Sequence, residues 1–248
     1  ETKKAFRAEE ESGEAGSEIL AGLGRFVVGR KTVLLLVGIL ILGIAAYGST
    51  LLTVETNTLR FFRPESDIRR STEVIDESFG GSENLSIVIA GDIKDPEVLK
   101  GIVELQDRLG EIEEIGHSIS IANLVAEINK ALHGNDPEAR KIPDTRNAVA
   151  QELLLYEMSG DSSDFESLVN YSYDKARVSV RISSVSSNRL AEVINRVEEE
   201  AKKIAGEDFD VQVTGSSYLF KVLTDLLVRG QIISLTIALF AVAIIVGL

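Results

Sequence analysis

The chain has 248 residues, a formal charge of −13 at neutral pH and no cysteine. Such an acidic balance argues against a nucleic-acid binder, because the phosphate backbone would repel the protein. The lack of cysteine excludes disulfide bonds, a thiolate nucleophile and cysteine-ligated metals.

The first apolar stretch comprises residues 32–54 and carries no ionisable group except Tyr47. About 17–25 apolar residues cross a bilayer, so this stretch has the length of a tilted spanning helix. It is too long for the apolar core of a secretory signal. Three basic residues lie between positions 25 and 31, which favours a cytoplasmic location for the preceding side. We therefore predict a cytoplasmic linker at residues 1–31 and a transmembrane helix at residues 32–54.

A second apolar stretch occupies residues 230–248, where Ser234 and Thr236 are the polar residues after Gln231. The alternative is a buried C-terminal helix of a soluble core, but such a helix usually keeps a polar stripe. We predict a truncated transmembrane helix, with residues 216–231 as a helical segment that runs continuously into it. The start without Met and the abrupt apolar end are expected of a piece of a longer polypeptide.

The acidic excess of the chain falls between the two apolar stretches, in residues 55–229. This length is enough for one domain with a hydrophobic core. An acidic surface is a poor match for anionic lipid, so the domain is expected to project away from the bilayer. We predict an extracytoplasmic domain with both chain ends in the cytoplasm of a prokaryotic cell, since an exported domain without disulfides suits a prokaryotic envelope.

Periodic patterns predict two strand–helix–strand units in this domain. Their order is that of a ferredoxin-like split βαβ domain, which makes the fold class α+β. The first unit consists of a strand at 85–91, a helix with Val98, Ile102, Leu105, Leu109 and Ile112 inward, and a strand at 117–121. The second unit begins with a strand whose inward residues are Ala176, Val178, Val180 and Ile182, followed by a helix that Ser186 or Ser187 caps, with Leu190, Val193, Ile194, Val197, Ala201 and Ile204 inward. It ends with a strand at 209–215 with Phe209, Val211 and Val213 inward.

Between the two units lies a predicted helical insertion, about residues 122–172, in two pieces that Pro137 and Pro143 separate. The second piece contains Leu-Leu-Leu-Tyr at 153–156, which is apolar nearly all round a helix. Core packing is the favoured interpretation. The alternative is a contact with a companion domain or a lid over a substrate cavity.

Chemical motifs are sparse. Gly80-Gly81-Ser82 could cradle a phosphate, but the next predicted element is a strand rather than a helix, which favours a structural turn. His117 and His133 have no second ligand at metal-binding spacing, and no nucleophile elbow is present. We expect no catalytic residues, no metal site and no cofactor, and hence no enzyme.

Several segments match a known superfamily in order and spacing. They are Val54 and Thr56, Phe61-Phe62, Ser66 and Phe79-Gly80-Gly81 before the first strand, then residues 128–160 and 171–184. These segments resemble the extracytoplasmic domain of resistance–nodulation–division (RND) superfamily exporters. The most similar branch is that of lipid and hydrophobe/amphiphile exporters, which is related to mycobacterial lipid transporters.

The resemblance implies a function. Such exporters have two similar halves, each with one span, a porter domain and five further spans, and this chain resembles the first part of the second half. It implies export of a hydrophobic or amphiphilic, lipid-like substrate, driven by the proton motive force. The implied partners are membrane lipids, the substrate and the companion half of the exporter. An oligomer is compatible with the resemblance, and no nucleic acid is implied as a partner. Neither apolar stretch has an ionisable residue for a proton relay, so that part would lie in spans outside this chain.

Four aromatic residues are the candidates for a substrate path. Phe61 and Phe62 follow the first apolar stretch, and Tyr218 and Phe220 precede the second. Anchoring at the membrane interface is the simpler role for such aromatics. Two alternatives to transport remain open at this point: a two-span sensor with an extracytoplasmic ligand-binding domain, and an interaction module for envelope assembly.

Overall fold

The structure is a computed structural model. It describes residues 29–50, 58–159, 167–205 and 210–247. The chain divides into two units, Glu1–Thr53 and Val54–Leu248. Most of the predicted cytoplasmic linker, and Phe209, lie outside the described residues.

The first unit contains helix α1, Lys31–Thr50. The apolar run found within it, Leu36–Ala45, is shorter than a membrane span. Residues 51–54 of the predicted span are outside the described part of the chain. The transmembrane assignment of residues 32–54 therefore stays a prediction.

The second unit begins with a short 3-10 helix, Thr58–Phe61, and contains another at Pro137–Ala139. Its helices and strands are α2 Asp67–Phe79, β1 Glu83–Ala90, α3 Pro96–Gly110, β2 Ile115–Ile119, α4 Ile121–Leu132, α5 Arg146–Ser159, β3 Lys175–Ile182, α6 Ser187–Ala205, β4 Asp210–Thr214 and α7 Ser216–Gly247.

The four strands form one antiparallel sheet in the order β2-β3-β1-β4. Ile87 at the centre of β1 lies opposite Val178 of β3 on one side and Val213 of β4 on the other. The strands of each strand–helix–strand unit are separated by a strand of the other unit, which is the predicted split βαβ order. The domain is thus α+β with a four-stranded antiparallel sheet.

The core lies between one face of this sheet and helices α3 and α6. The predicted alternation of β3 is confirmed, since its four inward residues are buried while Arg177 and Arg181 are exposed. The inward residues predicted for the two helices are buried as well, except Ile204, which is partly buried. Ala205 takes the last buried position of α6.

The Gly80-Gly81 segment is a tight turn between α2 and β1, in agreement with the structural interpretation. Both glycines have positive φ, 73° and 132°. A Cβ on Gly81 would lie 2.5 Å from the carbonyl carbon of Ile182, so the strand end leaves no room for a side chain. Asp76 of α2 fixes the turn, because its carboxylate accepts the backbone N–H groups of Ser82 (2.7 Å) and Ser184 (2.9 Å).

Strand β2 differs from its prediction by two residues, because it spans Ile115–Ile119 rather than 117–121. The cause is local. Ser120 starts helix α4 instead of continuing the strand, and its N–H donates to the Asn123 side-chain oxygen at 2.9 Å. Such a bond at a helix start satisfies an otherwise free donor.

Helix α7 is continuous from the end of β4 through the second apolar stretch, as predicted. Within the part of the chain that the structure describes, it is the one helix long and apolar enough to cross a membrane, at Ser216–Ile245. The predicted span boundary at residue 230 falls inside this helix. The start of the span at residue 230 stays a prediction.

Candidate functional site at the last helix and the helical insertion

The first aromatic pair of the predicted substrate path lies at the surface of the second unit. Phe61 is 73% exposed at the end of the first 3-10 helix, and Phe62 is 42% exposed directly after it. The Phe62 N–H donates to the carbonyl of Leu59 at 3.2 Å, which orders the backbone at this point. Both rings are accessible to an apolar molecule.

The second pair, Tyr218 and Phe220, lies in the first turns of α7, and its two rings differ in exposure. Phe220 is 53% exposed, whereas Tyr218 is partly buried against the hydrophobic core. The Lys221 ammonium lies 5.6 Å from the centre of the Tyr218 ring, a weak cation–π contact. Among the described residues no ring contact joins this pair to Phe61 and Phe62, so the structure does not assemble the four rings into one site.

The base of α7 is fastened to the α+β domain by polar contacts. Ser217 is fully buried and its hydroxyl donates to the Glu83 carboxylate of β1 at 3.1 Å. The ammonium of Lys221 donates to the Asn195 side-chain oxygen of α6 at 2.7 Å and lies 3.4 Å from the Glu198 carboxylate. These contacts join the apolar helix to both layers of the domain.

The two helices of the insertion, α4 and α5, contact each other and line an apolar cavity. The cavity has a volume of about 270 Å³ and is lined by α4 and α5. Its described lining is mainly apolar, and the carboxylate of Glu127 and the hydroxyl-bearing Tyr156 are its polar members. The residues are Leu124, Glu127, Ile128, Ala131, Leu132, Leu155 and Tyr156.

A second cavity of about 400 Å³ adjoins the first and extends to the edge of the sheet. The two cavities share Leu124, Glu127 and Tyr156 in their walls. The second cavity adds polar groups, among them Arg177 of β3 and Ser179. The two cavities together are called the groove below, and the second cavity is its polar end.

A buried polar network places α4 beside the sheet. The amide of Gln106 on α3 donates to Asn123 at 2.8 Å and to Ser118 at 3.2 Å, and its oxygen accepts the Ser120 hydroxyl at 2.8 Å. Buried polar side chains are costly without partners, so a satisfied network of this kind fixes one arrangement of α3, β2 and α4.

The carboxylate of Glu127 is neutralised by its neighbours. It pairs with Arg140 and with Lys130, whose ammonium is 3.4 Å away. The hydrogen bond from Arg140 lowers the pKa of Glu127, with Lys130 acting in the same direction. Arg177 has no ion-pair partner among the described residues. Of the described charged side chains that line the groove, Arg177 is thus the one without an ion-pair partner.

A third cavity, of about 480 Å³, lies on the other side of α4, towards α3. Its wall mixes charges of both signs, including Lys100, Asp107 and Asp144. Lys100 already pairs with Glu97 at 2.9 Å. This surface has no uniform chemistry that would select a ligand.

The apolar segment at 153–156 takes two different roles. Leu153 is buried in the core, as favoured, but Leu154 and Leu155 are 55% and 52% exposed, so core packing is wrong for these two. The reason is that α5 has one neighbour, α4, on this side and can bury one face only. Leu155 lines the groove instead, and Tyr156 lines the groove while also packing partly buried against the core. The sequence signal for this was the presence of more apolar residues than one helix face can bury.

Known proteins give one informative similarity. No family model matches the chain. The chain is 24% identical over 239 residues to a protein of Methanocaldococcus jannaschii named "Putative membrane protein MJ1562". The match covers 92% of this chain and 58% of that protein, so the chain spans less than two thirds of the length of this relative. The relative and the apolar α7 together indicate association with a membrane, and neither assigns the chain to the RND superfamily.

Proposed function

We propose that this chain is part of an RND-type membrane transporter that exports a hydrophobic or amphiphilic, lipid-like substrate. In this proposal two transmembrane helices flank an extracytoplasmic ferredoxin-like porter domain. The domain works against a companion half, and the proton motive force acts through spans outside this chain. The chain itself performs no catalysis.

The observation that carries the proposal is the junction between α7 and the domain. An apolar helix of span length continues without a break into the segment that Ser217 and Lys221 fix to β1 and α6. A displacement of such a helix moves the sheet with it, because no flexible linker intervenes. That rigid connection is what a transporter needs in order to couple membrane helices to a substrate-handling domain.

Exposed apolar residues on α7 and at the first 3-10 helix support a hydrophobic substrate. Phe61 and Phe220 present more than half of their surface to the surroundings, as do Leu226 and Leu227 on α7. Large exposed apolar surfaces usually mark contacts with lipid, ligand or protein. A path of this character suits a molecule that leaves the bilayer sideways.

Flux in cells tests the proposal. Cells with and without the gene that encodes this chain are loaded with a fluorescent amphiphile, such as a short-chain fluorescent phospholipid, and its loss is followed. We expect faster loss with the gene, and no difference after a protonophore collapses the proton gradient. Equal loss in both strains under energised conditions would contradict transport.

A further inference from the structure

We propose that the groove between α4, α5 and β3 binds a single-chain amphiphile with an anionic headgroup. The hydrocarbon chain lies between α4 and α5, and the headgroup lies at Arg177. The inference rests on the proposed function for its biological setting and adds to it a ligand class and a set of contact residues.

The apolar end of the groove has the chemistry of a hydrocarbon site. Leu132 and Leu155 are more than half exposed, although they face each other across a cavity of about 270 Å³. Ile128 and Ala131 form its floor on α4. Apolar side chains gain free energy in proportion to the area removed from water, so these walls favour a hydrocarbon chain over solvent.

The polar end supplies the recognition of charge. Arg177 is exposed on β3 and lines the adjoining cavity with the hydroxyl-bearing Ser167 and Ser179. Guanidinium groups bind carboxylates and phosphates through two parallel hydrogen bonds, and serine hydroxyls add donors. A planar cation without an ion-pair partner in the described structure is available for an anionic headgroup.

Among the described residues, the groove offers a cationic ligand no free acid. Glu127 is the one described carboxylate that lines both cavities, and it pairs with Arg140 and Lys130. On a chain of net charge −13, a groove whose free charge is positive is a local reversal. Charge complementarity therefore selects an anionic amphiphile over a neutral one.

The dimensions fit a small ligand. The two cavities have volumes of about 270 and 400 Å³ and share three wall residues. Sites for small molecules typically have about 300–1,000 Å³ and combine apolar walls with few polar groups. The groove meets this description with one apolar and one charged end.

The test is photo-crosslinking on the purified full chain in lipid nanodiscs, with a diazirine-bearing palmitic acid as the probe. Crosslinked peptides are identified by mass spectrometry, which separates labelling in the groove from labelling of α1 and α7 by bulk lipid. We expect labelled peptides from Ile121–Leu132 and Arg146–Ser159. The methyl ester of the probe, which has the same chain and no charge, should label these peptides much less.

Two matched pairs of variants make the test specific. Arg177→Gln should reduce labelling of the groove by about tenfold at sub-saturating probe, the effect of losing one charge-assisted pair. Arg181→Gln, an exposed arginine on the same face of β3 outside both cavities, should leave it unchanged. Leu155→Ser should weaken labelling, whereas Leu154→Ser, an equally exposed neighbour outside the groove, should not.

Equal labelling of the two arginine variants, or of the acid and its ester, would overturn the inference. Because all four substituted side chains are exposed, loss of folding does not explain a difference within a pair. The flux experiment is read separately. Absent labelling with intact flux removes the groove and leaves the exporter, while labelling without flux keeps the binding site and removes the exporter.

Discussion

Glu152 shows how a single residue can set the pH response of the helical insertion. It lies on α5 with 6% of its surface exposed, and its Oε2 atom has no hydrogen-bond partner among the described residues. Burial raises the pKa of this carboxyl group, and the charge of nearby His133 opposes the shift. The protonated form is thus favoured more in the folded protein than in the unfolded chain. Stability from this group is full below the unfolded pKa and is lost as pH rises through the higher folded pKa.

We therefore expect Glu152→Gln to raise the free energy of unfolding at neutral pH by about 1 kcal/mol, because burial disfavours the charged form of the carboxyl group that the substitution removes. Below about pH 4 the variant and the parent should have equal stability, since both are then neutral. Thermal unfolding followed by circular dichroism in detergent micelles measures the difference. Glu111→Gln, at an exposed site after α3, is the control for the loss of one carboxyl group from the surface. Parallel pH profiles for Glu152→Gln and its parent would refute this view.

At the scale of elements, the Gly80-Gly81 turn fixes how α2 meets the sheet. Gly80 and Gly134 have nearly the same positive φ, 73° and 71°. A Cβ at Gly80 would be 2.9 Å from the carbonyl carbon of Gly116, whereas a Cβ at Gly134 would meet no atom within 4 Å. The two positions share a φ that disfavours alanine and differ in the space around them.

This difference predicts unequal costs for the same substitution. Gly134→Ala should lower the free energy of unfolding by about 1 kcal/mol, the cost of a left-handed conformation for alanine. Gly80→Ala should lower it by about 2–4 kcal/mol, because the backbone of the β2 strand must also move. Chemical unfolding of both variants in micelles compares them. Equal losses would mean that the close approach of Gly80 to Gly116 contributes nothing.

The elements that the sequence predicts well are those with a strict period. The alternation in β3 and the three-four spacing in α3 each correspond to one buried face, because a sheet and a helix bury one face each in this domain. The prediction that residues 98, 102, 105 and 109 face the core is confirmed for that reason. Such periodic patterns indicate by themselves which residues of a helix or strand face the core.

The site depends on contacts that no local pattern encodes. Arg177 and Arg181 are equivalent in the sequence, and their roles separate only because α4 and α5 lie near one of them. Leu154 and Leu155 likewise differ through the position of α4. Asp76 bonds to the backbone of Ser184, 108 residues away along the chain. Long-range placements of this kind follow from the packing of the whole domain.

At the scale of the whole molecule, the strong negative charge and the absence of cysteine have practical consequences. The acidic domain is expected to stay away from anionic lipid surfaces. A chain without native cysteine accepts single cysteine probes at any position without background labelling. Ser172 is exposed in the loop before β3, and Ser17 precedes the first apolar stretch.

In the proposed topology the α+β domain stands outside the membrane and the N-terminal segment inside, and labelling of these two positions distinguishes this topology from its reverse. Intact cells that produce Ser172→Cys or Ser17→Cys are treated with a membrane-impermeant maleimide before and after permeabilisation. We expect Ser172→Cys to react in intact cells and Ser17→Cys to react only after permeabilisation. Labelling of Ser172→Cys only after permeabilisation would place the domain in the cytoplasm and contradict the proposed exporter.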